Sequence, residues 1–358
     1  MKTVAIAANG EGFGHASRLV SLVEVLRERY KLVLYAPETI HGFIKEKLSQ
    51  RGVLPYPLRT LPCPAFVKRG DSVKYIATIR KNLPLLFSLR KQAAIIRQHM
   101  KNDLVDILIS DFEPFSTWAA KSLGIPVLQI NHPGIVLRSP SLTWDALLAK
   151  TVAWLMMGWY DKRILVSYYD GDCGPVIRKE IMQQTPQDKG HIVVYVKHEY
   201  QKKVLATLSE LGCHSVLSYP DPHATINFSE ALATCTAVIA SAGHQIISEC
   251  LYLQKPILVI PQRGQFEQRL NAVRLEEAGY GMYATMRSLK RKLRQFVRDI
   301  RLHTYPKTCR AAHRAIDCND NTKILEHRIV SFIEEARVTP LHTLTNQLLS
   351  DWLMGVAE

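Results

Sequence analysis

Between Ala237 and Ala272 the chain carries residue types suited to holding an anion. Ala237 to Ala242 is a short run of Val, Ile and Ala, which predicts a buried strand, and Gly243 follows where a tight turn is needed. From His244 the apolar residues Ile246, Ile247, Cys250, Leu251 and Leu253 fall at roughly helical spacing. Lys255-Pro256 stops that pattern before a second strand, Ile257 to Ile260. In a strand, glycine turn, helix unit the free N–H groups and the helix dipole favour an anion just outside the glycine, and a nucleotide diphosphate is the usual occupant. An ordinary βαβ unit with no ligand has the same geometry. Polar residues favour a site: Glu249 lies inside an otherwise apolar helix, and Gln265, Glu267, Gln268 and Asn271 crowd the stretch after Pro261. A solvated surface would absorb these as well.

A second concentration of such residues follows the first predicted strand, Thr3 to Ala8. It runs into N-G-E-G-F-G-H and then a helix with Leu19, Leu22, Val23 and Leu26 at i, i+3, i+4 and i+7. Three glycines permit a close, irregular turn at the strand's C-terminal edge, and His15 stands at the helix start, where a histidine also serves as a cap or a packed side chain. The spacing is G-x-G-x-G, and the second strand, Lys31 to Ala36, ends in Ala36-Pro37 with Glu38 the only nearby carboxylate. A nicotinamide dinucleotide fingerprint is therefore not met. Asp106 to Asp111 predicts a strand delivering Asp111 to the same edge, where it also fits a helix N-cap, with Glu113 just beyond. Pro126 to Asn131 brings His132-Pro133-Gly134 there too.

These segments resemble inverting GT-B glycosyltransferases, both the peptidoglycan lipid-intermediate N-acetylglucosaminyltransferase and the UDP-glucuronosyltransferase-like families. The matching motifs are G-E-G-F-G-H-A-S-R, D-I-L-I-S-D, S-A-G-H-Q-I-I-S-E, K-P-I-L-V-I-P and Q-F-E-Q-R-L-N-A, in order. The resemblance implies that His15 is the general base and that Asp111 orients it, with Glu113 in reserve. It also implies that Gly243, His244 and Gln245 lie at the diphosphate and that Glu249 accepts the ribose hydroxyls. Glu267 and Gln268 would hold the sugar, Gly14 and Asn271 would join the donor set, and Gly12 and His132 would stand on the acceptor side. Glu267-Gln268 is an acid-amide pair where the peptidoglycan enzyme has two amides. Metal-independent transfer from a nucleotide-sugar, UDP-linked, to an acceptor hydroxyl follows, with no cofactor.

The implied fold class is α/β: two doubly wound, Rossmann-like domains facing a central cleft, the GT-B arrangement. Strand and helix alternate throughout, which predicts parallel sheets. The chain divides into an acceptor-side domain at 1–169, a linker at 170–178, a nucleotide-sugar-binding domain at 179–335, and a final helix at 336–358 that packs back on the first domain. Arg163 to Tyr169 is expected as the last strand of the first domain. The D-G-D at Asp170 to Asp172 matches a manganese pattern of the other glycosyltransferase architecture, but a linker offers it no phosphate to bridge. No H-E-x-x-H occurs and the histidines are dispersed, so no metal site is expected.

Charge is concentrated. Of the net +14, residues 66–101 hold +8 and residues 287–314 hold +9, which leaves the remainder at −3. An anionic partner is implied: nucleotide-sugar, lipid surface or nucleic acid. Val73 to Met100 reads as a basic helical region interrupted at Pro84, with apolar residues beneath the cations; composition favours a solvated face slightly over an anionic membrane surface. Ala146 to Trp159 is too short and too interrupted by Lys150 to span a bilayer and reads as a core helix. The seven scattered cysteines and the lack of a secretory pattern after Met1-Lys2 predict a cytoplasmic protein, peripheral at the inner membrane face if its acceptor is lipid-linked. No nucleic-acid recognition motif is visible. Two alternatives stay open: a nucleotide-sugar 2-epimerase or hydrolase of the same architecture, and a non-enzymatic basic binder.

Overall fold

The computed structural model describes residues 1–11, 13–53, 55–64, 67–69, 72–73, 75–221, 224–304 and 315–336. Its strands are β1 (Thr3–Ala8), β2 (Lys31–Ala36), β3 (Leu58–Thr60), β4 (Lys68–Arg69), β5 (Ser72–Val73), β6 (Ile107–Asp111), β7 (Val127–Asn131) and β8 (Lys162–Leu165), followed by β9 (Ile192–Tyr195), β10 (Val216–Ser218), β11 (Ala237–Ser241), β12 (Ile257–Ile260) and β13 (Met282–Tyr283). Helices α1 (Phe13–Leu26), α2 (His41–Gln50), α3 (Tyr75–Phe87), α4 (Leu89–Asn102), α5 (Pro114–Lys121) and α6 (Trp144–Met157) belong with the first eight strands. After them come α7 (Lys179–Met182), α8 (His198–Glu210), α9 (Phe228–Thr234), α10 (His244–Tyr252), α11 (Phe266–Glu277), α12 (Leu289–Arg301) and α13 (Thr322–Glu335).

Two parallel sheets result, ordered β3-β2-β1-β6-β7-β8 and β10-β9-β11-β12-β13, with a small antiparallel β4-β5 ribbon beside them. Helices cover both faces of each sheet. That is why strands such as β1 (TVAIAA) and β12 (ILVI) are buried along their whole length and read as unbroken apolar runs. This is the two-domain α/β fold expected.

In each sheet the loops that matter leave the carboxyl ends of central strands. Ala8 of β1 pairs with Asp111 of β6, and Asn9 ties the two exits together, its N–H donating to the Asp111 carbonyl and its side-chain amide to that of Phe112. In the second sheet α10 leaves the central strand β11. The halves meet where α11 packs on α6 and on the 3₁₀ turn Pro133–Arg138, helped by the Arg269 to Asp145 ion pair at 2.7 Å.

The structure corrects the sequence at several points. The helix that returns to the first domain is α13, which the sequence places within 179–335: Leu325, Ile329, Phe332 and Ile333 are buried with α1 and α2 in the core behind the first sheet. Each such residue contributes roughly 1.5–3 kcal/mol by burial. Residues 337–358, the helix expected to do this, lie outside the described residues. Strand β8 ends at Leu165, because Val166 and Ser167 turn to pair with Cys173, which frees Tyr168 and Tyr169 to leave the sheet. Pro84 sits inside α3, and the break comes at Ser88 instead. Arg80 and Pro84 are both exposed, so the carbonyl that loses its partner faces water.

Helix α6 is only half a core helix. Ala146, Ala149, Ala153 and Met157 face inward, whereas Trp144, Leu147, Trp154 and Leu155 stand out, Trp144 at 88% exposure. Among the described residues no helix is long and apolar enough to cross a membrane. Asp172 of the D-G-D is committed to structure, accepting from Arg138 and from the Leu165 N–H.

Candidate active site

His15 lies in the first turn of α1 and Asp111 ends β6, so the adjacency of β1 and β6 brings them together across 96 residues of sequence. His15 Nδ1 lies 2.9 Å from Asp111 Oδ1, although the ring is not aligned to hydrogen-bond and Nδ1 is buried without a partner among the described residues. The Phe112 ring lies parallel to the imidazole at 6.1 Å, and Phe112 adopts a positive φ of 59°, an uncommon conformation for a non-glycine residue. With Nδ1 turned toward Asp111, Nε2 is the nitrogen left to meet a substrate. Asp111 is only 1% exposed and has a second partner, Arg18, whose Nη1 reaches both carboxylate oxygens at 2.8 Å.

Glu113 is placed differently from its reserve role. It is the N-cap of α5, accepting from the N–H groups of Phe115 and Ser116 and from the Ser116 hydroxyl, with burial pushing its carboxyl up to about 7. The cap that Asp111 could have supplied is thereby filled two residues later. Asp111 is left free to face α1.

On the opposite side α10 begins at Gly243 with no side-chain cap, so its first N–H groups are unclaimed by any cap. Gly243 has an ordinary φ of −75°, and a Cβ there would meet only Ile246, at 3.8 Å; at Gly14 a Cβ would meet nothing within 4 Å. Neither backbone conformation nor packing requires glycine at these two positions, as close approach of a ligand would. Gly12 lies outside the described residues. Between α1 and the start of α10 is a small, partly open pocket of about 10 Å³ lined by Ser17, Arg18, Ser21, Val166, Val176, Arg178, His244 and Gln245.

His244 is buried and stacked on His132, with centroids 3.9 Å apart, and lies parallel to Tyr168 at 5.5 Å. Burial drives both imidazoles toward their neutral forms, His132 down to about 3 and His244 well below its ordinary value. His244 Nδ1 has no hydrogen-bond partner among the described residues, an orphan polar atom beside the pocket.

His132, expected on the acceptor side, bonds to residues of both domains. Its Nδ1 lies 3.1 Å from the Val166 carbonyl and its Nε2 3.0 Å from Asn271 Oδ1, which also accepts from the Tyr169 hydroxyl at 2.6 Å. Asn271 in turn donates to the Ala242 carbonyl, and Tyr168 donates to the Asn271 carbonyl.

The remaining donor-side residues are largely engaged. Glu249 is 1% exposed, and both its oxygens are held by Arg178, at 2.5 Å from Nε and 2.7 Å from Nη2, with Gln245 adding a third bond. Gln268 accepts from the Gln262 N–H. Glu267 alone keeps a partly open carboxylate, 3.7 Å from His132 Nε2; burial raises its pKa while His15 and Arg18 across the cleft pull the other way. Sequence reasoning brings out the dyad and the α10 terminus but misses Arg18, Arg178, Tyr168 and Tyr169. The available signal for Arg18 was its position three residues after His15, on the same helical face.

Known proteins place this geometry. The sequence pattern of glycosyl transferase family 1 matches residues 3–301. An uncharacterized glycosyltransferase of Methanosarcina acetivorans is 26% identical over 327 residues, covering 76% of this chain and 83% of that protein. Among solved structures, a UDP-glucosyltransferase from Polygonum tinctorium capable of glucosylating indoxyl superposes with a TM-score of 0.61 at 14% identity, covering 94% of this chain and 99% of that one. Acinetobacter baumannii MurG gives 0.59 at 13% identity, covering 92% and 100%. Both share the fold. With the family pattern spanning both sheets and the expected motifs in order, the chain belongs to glycosyl transferase family 1 and is a GT-B glycosyltransferase.

Proposed function

We propose that the enzyme transfers a sugar with inversion from a nucleoside diphosphate donor, UDP-linked, to an acceptor hydroxyl, without a metal ion. The observation that carries this reading is the juxtaposition of the His15 and Asp111 pair with the uncapped start of α10, across a pocket flanked by Arg18 and Arg178. His15 Nε2 takes the acceptor proton as the acceptor oxygen bonds to the anomeric carbon. The bond from that carbon to the diphosphate oxygen breaks on the opposite face, and the nucleoside diphosphate leaves. The α10 dipole and the two guanidiniums offset the charge that builds on the leaving group, a task that otherwise falls to a metal ion. Glu249 is assigned to the ribose hydroxyls, and Glu267 and Gln268 to the sugar.

The acceptor in this proposal is lipid-linked, met at the cytoplasmic face of a membrane. Phe87, Ile95, Trp144, Trp154 and Leu155 stand exposed on the α3 to α6 layer, with Arg80, Lys81, Arg90, Lys91 and Arg97 exposed around them. Co-sedimentation with anionic but not neutral vesicles, lost in a Trp144→Ser, Trp154→Ser double variant, is the expected outcome; no retention on anionic vesicles removes the membrane from the proposal.

The donor reading is tested by thermal stabilisation with UDP, dTDP, GDP and CMP, with and without magnesium or manganese. A ligand at ~100 times its Kd adds roughly 2.7 kcal/mol to the native state. Selective, metal-indifferent stabilisation by one diphosphate supports the assignment. Indifference to every nucleotide overturns it.

A further inference from the structure

We propose that Arg18 is a positioning residue that ties the catalytic base to donor occupancy: it holds Asp111 while the pocket is empty, and a donor diphosphate draws it off so that Asp111 can accept the Nδ1–H of His15. The inference rests on the donor reading above.

Three observations converge on it. First, Asp111 is shared. Its carboxylate meets Arg18 Nη1 through both oxygens at 2.8 Å, while His15 Nδ1, only 2.9 Å away, is unaligned and lacks any hydrogen bond among the described residues. A carboxylate has lone pairs enough for both partners, so its capacity is not the obstacle. The Nδ1–H is not aimed at Oδ1, and Arg18 fixes where that oxygen stands by bonding both oxygens of the carboxylate.

Second, Arg18 is 7% exposed, yet its Nε and Nη2 make no hydrogen bond among the described residues. A guanidinium presents five donors in a planar fork suited to a phosphate. Arg18 uses one nitrogen on Asp111 and lines the pocket at the start of α10. The unspent donors, the uncapped helix start and the unpartnered Nδ1 of His244 therefore border the same space. A diphosphate offers that fork more charge and more acceptor oxygens than a single carboxylate does.

Third, the chain makes the coupling direct. Arg18 follows His15 by three residues on α1, so one helix face presents base and cation side by side. Withdrawal of the guanidinium removes the positive charge nearest the imidazole and returns the carboxylate to it. Each change favours a base ready to accept a proton. Deprotonation of the acceptor would thus wait for the donor.

The test follows the His15 Nδ1–H signal by NMR of ¹⁵N-histidine-labelled full-length protein, assigned by its disappearance in His15→Gln. Thermal stabilisation by UDP and dTDP is read on the same sample. In the wild type a slowly exchanging, downfield Nδ1–H should be absent without nucleotide and appear at saturation with whichever nucleotide binds. In Arg18→Gln the signal should be present without nucleotide and indifferent to it, with affinity for that nucleotide lower by about tenfold or more. Nucleotide binding to the wild type with no Nδ1–H signal overturns the proposal and leaves the donor reading standing, whether or not the variant folds. The same signal with and without nucleotide in the wild type overturns it as well. Failure of both nucleotides to bind removes both.

Discussion

The two walls of the cleft are built in opposite ways. On the α1 wall the chemical groups are under-used: His15 Nδ1 has no hydrogen bond, Arg18 spends one nitrogen of three, and Gly14 faces open space. On the α10 wall three side chains are occupied by protein, Glu249 by Arg178 and Gln245, Gln268 by the Gln262 backbone, and Asn271 by His132, Tyr169 and Ala242, while the uncapped α10 start and His244 Nδ1 stay open. On the proposed reading a donor nucleotide exchanges partners with groups that already have them, whereas the base has only to be aligned. On that reading specificity sits on the wall where bonds are traded, because a wrong ligand leaves buried polar groups unpaired there.

The largest effect should come from the under-used wall. His15→Ala is expected to lower turnover by about 10²–10⁴, while stabilisation by nucleotide stays close to wild type. Turnover unchanged in that variant ends the base assignment.

Next comes the occupied wall. Glu249→Ala leaves the Arg178 guanidinium without its partner and should cost about 3 kcal/mol of stability, the lower end for breaking a buried pair because Arg178 is 27% exposed. Nucleotide stabilisation should vanish with it. A variant as stable as wild type that still binds nucleotide would erase the contrast between the walls.

The seam between the walls gives a pH signature. His132 and His244 are held neutral by burial, His132 down to about 3. An unfolded histidine titrates near 6.5, so the unfolded chain binds more protons below that pH. Stability from His132 is full above about pH 6.5 and is lost as pH falls from there toward 3, by about 2 kcal/mol at pH 5. Glu113, raised to about 7, acts in the opposite sense, its contribution falling as pH rises between about 4.5 and 7. Chemical denaturation of wild type and His132→Gln from pH 7 to pH 5 isolates the histidine: the wild-type advantage should shrink on acidification. A constant difference denies the seam its titration.

The smallest structural change tests the turn itself. Gly243→Ala should alter stability by no more than about 0.5 kcal/mol, since its Cβ meets only Ile246 at 3.8 Å. It should still weaken diphosphate affinity about tenfold, roughly 1.4 kcal/mol. Undiminished affinity would mean that the ligand does not approach that backbone.

The scaffold was readable because parallel strands covered on both faces leave plain apolar runs, and Gly243 and the N-G-E-G-F-G-H loop mark where the chain leaves them. Those exits place His15 and Asp111 at one edge, and the family resemblance pairs them. What stayed hidden depends on approach in space. Arg178 lies 71 residues from Glu249 and Arg18 lies 93 from Asp111, and no local pattern distinguishes a bonded arginine from a solvated one. Tyr168 and Tyr169 look like the end of a strand by composition; only the turn of Val166 and Ser167 back to Cys173 reveals that they leave the sheet for Asn271. Helix α6 misled because its small residues face in and its large ones face out, so an apolar stretch too short to span a bilayer is only half buried.

The return of α13 to the first domain has a consequence for biosynthesis. A ribosome makes that domain's sheet first, but Leu325, Ile329, Phe332 and Ile333, which close the core behind α1 and α2, emerge only after the entire second domain. The nascent first domain must therefore wait with an uncovered apolar face, open to chaperones and to aggregation, while its neighbour can fold without delay. The half of the enzyme that is translated first is the half that matures last.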